Sequence, residues 1–272
     1  MPAIPGQLER GLRIRSDLDY ARFGVATWKW WCVQHGFTFV LLDSPIGGER
    51  YSMLPPTVQR WLAPELLSRE YGSDASFAIV DADTMIRWDT PDLFELAIQQ
   101  FAVVRTGQPA WIWRSINAYQ HLFPEVNLPW WEYFNAGIVV VGGKHAELLR
   151  EFAVYFADRW PEMHAIQLSG DVGSDQTPLN FFLRGRGTDV HFMPATFNYV
   201  HCFRLPPPFY AFETGASKTS DLSALFRGLP SAAFDFTEFA HVWHFSNVVR
   251  LRHAAMEVTW QHVAENYPGA VP

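Results

Sequence analysis

The chain has 272 residues, 49% of them hydrophobic and 16% aromatic, with 12 tryptophans, so it can bury a large core and is not a disordered segment. Its formal charge is -7 at pH 7 and no stripe of Lys and Arg runs along it, which argues against a general nucleic-acid surface. No stretch approaches the roughly 20 apolar residues of a membrane span, and Met1 to Arg15 holds no apolar targeting core. Two distant cysteines, Cys32 and Cys202, are too few for a Cys-based zinc site and read as free thiols in a reducing, cytoplasmic setting.

In chain order, Tyr20 to Gly36 predicts a helix stopped by Gly36, and Phe37 to Asp43 (FTFVLLD) predicts a strand. Pro55 to Tyr71 is expected to be helical, with Val58, Trp61, Leu62, Leu66 and Leu67 on helical spacing. A strand running from Phe77 to Asp81 follows, then a helix over Pro91 to Phe101. Gln108 to Trp113 and Gly137 to Val141 are strand candidates, separated by a loop-rich stretch. Lys144 to Trp160 and Asp175 to Leu183 predict helices, and Val190 to Met193 a short strand. From Leu205 the run LPPPF breaks regular structure, and loops are expected to Asp235. Alternating strands and helices predict an α/β fold, and the chain reads as a single domain over 1–272 with a loop-rich part from about 205.

The strand FAIVD ends at two aspartates one residue apart, Asp81 and Asp83. In open α/β sheets, ligands bind beyond the carboxyl ends of strands. Paired carboxylates there suit Mg²⁺ or Mn²⁺, hard cations whose coordination is completed by waters and substrate phosphates. The competing reading is that the aspartates only cap the following turn.

Three later segments follow in order: YFNAGIVVV at Tyr133 to Val141, SDQTPLNFFL at Ser174 to Leu183 and VWHFSN at Val242 to Asn247. With the Asp pair, in this order and over Tyr20 to Arg250, the chain resembles nucleotide-sugar glycosyltransferases of the GT-A fold. The likeness is to retaining enzymes that carry a DxD, an FNAG-like strand, a DQ-containing helix and a late His. The resemblance implies a Rossmann-like GT-A domain with a mixed, mostly parallel central sheet flanked by helices. It also implies transfer of a hexose or pentose from a nucleotide-diphosphate sugar, UDP-sugar favoured and GDP-sugar possible, to a glycan acceptor hydroxyl. A divalent ion would neutralise the departing diphosphate.

By that match Asp81, Asp83 and His244 would hold the metal, Asp81 sharing its role with the donor ribose. His241, on the same strand as His244, is the competing candidate. Arg60 would reach the diphosphate, and Asn135 and Gly137 would line the donor-sugar and acceptor site. Asp175 and Gln176 match the DQ, with Asp175 facing the anomeric carbon or an acceptor hydroxyl; a helix cap is the alternative. Relatives carry Gly and Lys after the late His, where this chain has Ser246, Asn247 and Arg250, so Arg250 would replace the lysine as phosphate ligand. Trp130 and Trp131 would offer stacking faces to an acceptor sugar. Retention of configuration is expected from the resemblance and because Asp175 alone near the DQ resembles a general base.

The Asp pair also resembles the acidic strand end of haloacid-dehalogenase-like phosphatases, in which the first Asp is a nucleophile. GDVGSD at Gly170 to Asp175 and Lys144 would then supply the later motifs. That nucleophile strand usually opens its fold, whereas here helix and strand precede it, and the FNAG-like strand and late His are left without a role. A third reading is a domain that binds nucleotide sugar without turnover.

Overall fold

The computed structural model describes residues 18–97, 100–170, 172–203, 231–246 and 251–272. In chain order the longer elements are helix α1 (Ala21–His35), helix α2 (Ala63–Tyr71), strand β1 (Ser76–Val80), strand β2 (Thr84–Ile86), helix α3 (Leu93–Ala97) and strand β3 (Phe101–Arg105). Helix α4 (Pro109–Tyr119), strand β4 (Phe134–Gly142), helices α5 (Ala146–Asp158), α6 (Trp160–Ser169) and α7 (Gln176–Gly185), strands β5 (Val190–Met193) and β6 (Val242–His244), and helix α8 (Arg252–Val263) complete them. The chain gathers into two compact units, one within Met1–Phe39, Asp81–Pro91 and Thr196–Pro272, the other formed by Val40–Val80 and Asp92–Ala195.

The second unit holds a four-stranded sheet in the order β1-β4-β3-β5. β4 is its apolar centre: of FNAGIVVVG only Asn135 is not fully buried, the pattern of a strand covered on both faces. The sheet is mixed, as expected. β3 and β5 run parallel, while β4 runs antiparallel to both β1 and β3, so the parallel share is smaller than the resemblance implied. α5 buries Leu149, Phe152 and Phe156, and α7 buries Leu179, Phe181 and Leu183, in one core with Val103, Val139 and Val141 of the sheet.

Three segments depart from the sequence reading. Gln108 to Trp113, expected as a strand, lies in helix α4: Pro109 sits in its first turn, where a missing N–H costs nothing, and Ile112, Ser115, Ile116 and Tyr119 recur on its buried face. Phe101, expected to end a helix, instead opens β3 (FAVVR), buried through Val104. Phe37 to Asp43 takes no regular structure and is largely exposed, so its β-forming residues find no partner strand. The stretch Leu205 to Asp235 lies mostly outside the described residues.

In the first unit, α1 ends as its sequence predicts, with Gly36 left-handed at φ 71° and its N–H turned back to the last carbonyls. The buried face of α1 includes Phe23, Ala26, Trp28 and Trp31. Here tryptophan serves as core with a satisfied N–H: Trp31 Nε1 donates to the Thr90 carbonyl (2.9 Å) and Trp243 Nε1 to that of Ala240 (2.9 Å). β2 and β6 form an antiparallel pair that sets Thr84 opposite His244.

Gly24 of α1 lies against the turn between β1 and β2. A Cβ added there would overlap the Thr84 carbonyl oxygen and meet that of Ala82 at 3.1 Å, and backbone cannot swing aside as a side chain can. Gly24→Ala is therefore expected to destabilise the fold by about 1–3 kcal/mol, read as a lowered urea midpoint at unchanged slope.

Candidate metal centre and the helix behind the FNAG strand

The Asp-Ala-Asp segment is a tight turn between β1 and β2 and is pinned by the next residue. Thr84 donates both its N–H (3.1 Å) and its hydroxyl (2.6 Å) to the Asp81 carbonyl, and its hydroxyl accepts from Trp28 Nε1 (3.0 Å). The Asp83 carbonyl accepts from the N–H of Phe245, one residue past β6. Pairing of β2 with β6 then carries His244 to the aspartates across a long separation in sequence.

The two carboxylates and the imidazole converge, each offering one ligand atom, all within 4.8 Å of one another. His244 Nε2 lies 3.4 Å from Asp83 Oδ1 and 3.8 Å from Asp81 Oδ2. The His244 and Asp83 side chains are 3% and 11% exposed, against 28% for Asp81, so the group is buried on one side and reachable at Asp81. His244 Nδ1 donates to Asn198 Oδ1 at 2.8 Å. That bond fixes the ring and turns Nε2 toward the carboxylates, as the outer partner of a metal-ligating histidine does.

Arg252, in the first turn of α8, completes the group. Its NH2 lies 3.0 Å from Asp83 Oδ2, its Nε donates to the Phe245 carbonyl (3.3 Å) and its NH1 to the Tyr20 hydroxyl (3.4 Å). Burial works against the charge on Asp83, but His244 and Arg252 outweigh it and hold the carboxyl below its usual range. Burial likewise draws the His244 pKa down, yet Asp83 and then Asp81 more than offset it and raise it. Two carboxylate oxygens and an imidazole form a donor set suited to Mn²⁺ or Mg²⁺, so the residues fit the implied cation. Removing the outer partner, Asn198→Ala, is expected to weaken Mn²⁺ binding by about 10–100-fold, measured by calorimetry.

His241 does not join this group. Its ring lies against Phe197 (centroids 4.5 Å apart), with Nδ1 3.4 Å from Arg87 NH2, and burial followed by that guanidinium lowers its pKa.

The second unit brings together the FNAG and DQ segments. The pairing of β3 with β4 jumps from Val103↔Val139 to Val104↔Asn135, so Ala136, Gly137 and Ile138 bulge from that side of β4. α7 bonds backbone groups within the bulge and just before it. Gln176 Oε1 accepts from the Ala136 N–H (2.9 Å), while Asn180 accepts from the Phe134 N–H (2.9 Å) and donates to the Phe134 carbonyl (3.1 Å). Gln176 and Asn180 are four apart, on one face of the helix, which explains why the two segments occur together. Asn135 Oδ1 accepts from the Gly137 N–H (2.7 Å), and Gly137 keeps an ordinary strand conformation without a positive φ.

Asp175, just before α7, is 3% exposed. Its Oδ2 accepts from Arg60 NH2 (3.0 Å) and Trp61 Nε1 (3.0 Å), and its Oδ1 from the Ser174 hydroxyl (3.0 Å). Asp175 and Arg60, two candidates from the sequence, are therefore partners of each other. Asp175 makes no side-chain bond to the α7 backbone, so it does not cap that helix. Trp130 and Trp131 are 46% and 57% exposed, and Lys144 is exposed. Arg250 lies outside the described residues. Sequence reasoning missed Asn198 and Arg252, which carry no motif of their own.

No protein-family model matches the chain, and no curated protein sequence matches it. Among solved structures, one described as "crystal structure of a glycosyltransferase involved in the glycosylation of the major capsid of PBCV-1" superposes with a TM-score of 0.50 at 13% identity, covering 88% of this chain and 93% of that one. Two more glycosyltransferase structures are similar at lower scores. They are the WbbM bifunctional enzyme (TM-score 0.46, 16% identity, 91% of this chain and 50% of that one) and mouse xyloside xylosyltransferase 1 (0.39, 12%, 84% and 74%). The chain therefore has the α/β fold of the GT-A glycosyltransferases, and within it an Asp-Asp-His group of the composition that a DxD enzyme of that fold uses for its cation.

Proposed function

We propose that the protein is a metal-dependent glycosyltransferase that moves a hexose or pentose from a nucleotide-diphosphate sugar to a hydroxyl of a carbohydrate acceptor, with retention of anomeric configuration. The observation that carries this reading is the convergence of Asp81, Asp83 and His244 in a chain of GT-A fold. A bound Mn²⁺ or Mg²⁺ would stabilise negative charge developing on the diphosphate leaving group. Asp83 and His244, the more buried members, would hold the cation, and the more exposed Asp81 would hold it or the donor ribose.

By the resemblance, Asn135 and Gly137 of the second unit would contact the donor sugar, on a strand held in shape by Gln176 and Asn180, and Arg60 and Arg250 are each proposed as phosphate ligands. Asp175 and Gln176 are placed at the reacting centre in this proposal, Asp175 poised there by Arg60 and Trp61. Both units belong to one domain. A UDP-sugar is the favoured donor and a GDP-sugar the alternative, both by resemblance. A cytoplasmic setting is part of the proposal, supported by Cys32 and Cys202 being free and buried, with burial pushing the Cys32 thiol up to about 11. No helix among the described residues is long and apolar enough to cross a membrane.

A thermal-shift panel of UDP, GDP, CDP and dTDP sugars with and without Mn²⁺ tests the reading. One nucleotide should raise the melting temperature only with metal, by the several degrees that about 2.7 kcal/mol of ligand stabilisation at a hundredfold excess over Kd implies. Absence of any metal-dependent shift across the panel would overturn it. The configuration of the product, read by NMR at the anomeric proton, tests retention separately, and an inverted product removes that part alone.

A further inference from the structure

We propose that Arg252 makes cation binding at the Asp-Asp-His group conditional on the diphosphate, by occupying Asp83 when the cation is absent and repelling the cation until phosphate charge arrives. The inference rests on the reading of that group as the metal site and adds a switch to it.

The Arg252 guanidinium sits 3.0 Å from Asp83 Oδ2, on a carboxylate whose other oxygen faces His244, and the two side chains are only 18% and 11% exposed. Charges this sheltered interact more strongly than they would in water. A divalent ion entering beside Asp83 must therefore share that carboxylate with a fixed positive charge. The guanidinium keeps its charge throughout the working pH range.

The position of the side chain is firmly set. Nε is tied to the Phe245 carbonyl, NH1 reaches the Tyr20 hydroxyl and the guanidinium carbon lies 5.1 Å from the Tyr20 ring centroid, so Arg252 is not free to retreat into solvent. Among the described residues, these bonds and the Asp83 contact engage three of its five N–H donors, and a phosphate oxygen can take the other two. A diphosphate bound to the cation brings negative charge to both cations at once. Repulsion then becomes attraction, and cation and nucleotide bind together where neither binds well alone. By linkage the nucleotide must gain from the metal what the metal gains from the nucleotide.

Free Mn²⁺ counted by EPR, with and without UDP or GDP and against protein-free controls holding the same nucleotide, tests this on the full chain. The wild type should bind Mn²⁺ weakly alone and at least about tenfold more tightly with one nucleotide. Arg252→Gln should bind Mn²⁺ alone about five- to tenfold more tightly than wild type, with the nucleotide's effect reduced to about twofold or less. Arg252→Lys, which keeps the charge, should retain the weak binding of Mn²⁺ alone, and serves as the test if the Gln variant does not fold. The inference is overturned if Arg252→Gln leaves both Mn²⁺ affinity and nucleotide coupling as in wild type, if it weakens Mn²⁺ binding, or if Arg252→Lys itself tightens it. A wild type that binds neither Mn²⁺ nor any nucleotide overturns the glycosyltransferase reading and this inference with it, whereas metal-dependent nucleotide binding unaffected at position 252 removes only the inference.

Discussion

Asp83→Ala is expected to abolish metal-dependent binding of a nucleoside diphosphate, with Mn²⁺ affinity falling by more than the roughly 10–100-fold that outer-shell changes cost. The reason lies in where Asp83 sits among the three candidate ligands. It is the nearer of the two aspartates to His244 Nε2, at 3.4 Å against 3.8 Å, and its side chain is the more buried. It also compensates Arg252, so removing it leaves a buried imidazole facing a guanidinium across a gap, a site that repels a cation. The backbone bond from the Phe245 N–H to the Asp83 carbonyl does not involve the side chain, so the turn keeps its anchor in the variant. Calorimetric titration of Mn²⁺ and UDP or GDP into a variant shown to be folded by circular dichroism reads the effect. Binding within about tenfold of wild type would place the cation elsewhere.

The largest expected effect on stability is at Asp175. Asp175→Ala removes the acceptor for Arg60 and for Trp61 Nε1 together, where the Arg60 side chain is 11% exposed and Trp61 is fully buried. Breaking a buried ion pair from one side costs about 3–5 kcal/mol. For a chain of this size that lowers the melting temperature by about 5–9 °C. Asp175→Asn, which keeps an acceptor for the indole N–H but loses the charge, is expected to fall between the two. Scanning calorimetry checks both. Wild-type melting of Asp175→Ala would show that the ion pair does not hold this corner of the fold. A folded Asp175→Asn with full transferase turnover would remove the residue from the reacting centre.

Much of the architecture was legible before any coordinates. α1, α5 and α7 were readable because their apolar residues recur at helical spacing over ten or more residues and because Gly36 marks an end. β1, β4 and β5 were readable as short apolar runs bounded by turn residues. The errors fell where a window was short. Of FAVVR only Phe101 falls in the helix that the sequence predicts over Pro91 to Phe101, and its four apolar residues fit either period; Gln108 to Trp113 predicts a strand although Pro109 and the later Ile116 and Tyr119 mark a helix. FTFVLLD has strand-forming residues but no pairing partner, and a strand needs one.

The FNAG and DQ segments were visible as a recurring pair, but the sequence held no account of why they travel together. The bulge in β4 supplies one: it leaves an N–H at Ala136 that a glutamine side chain must meet, and a helix that presents Gln176 also presents Asn180 to Phe134.

The sequence by itself determined the types of donor at the site and their order along the chain, because a cation's demand for carboxylate and imidazole is a demand on residue identity. The Asp pair is legible on those grounds and His244 by the family resemblance, and the three side chains do meet. Tertiary structure alone decided which charges and partners surround them. Arg252 and Asn198 belong to no motif, and they reach the group only because β2 pairs with β6 and α8 begins beside it. Coulomb and hydrogen-bond energies depend on distances of a few ångströms, and a linear sequence does not contain those distances.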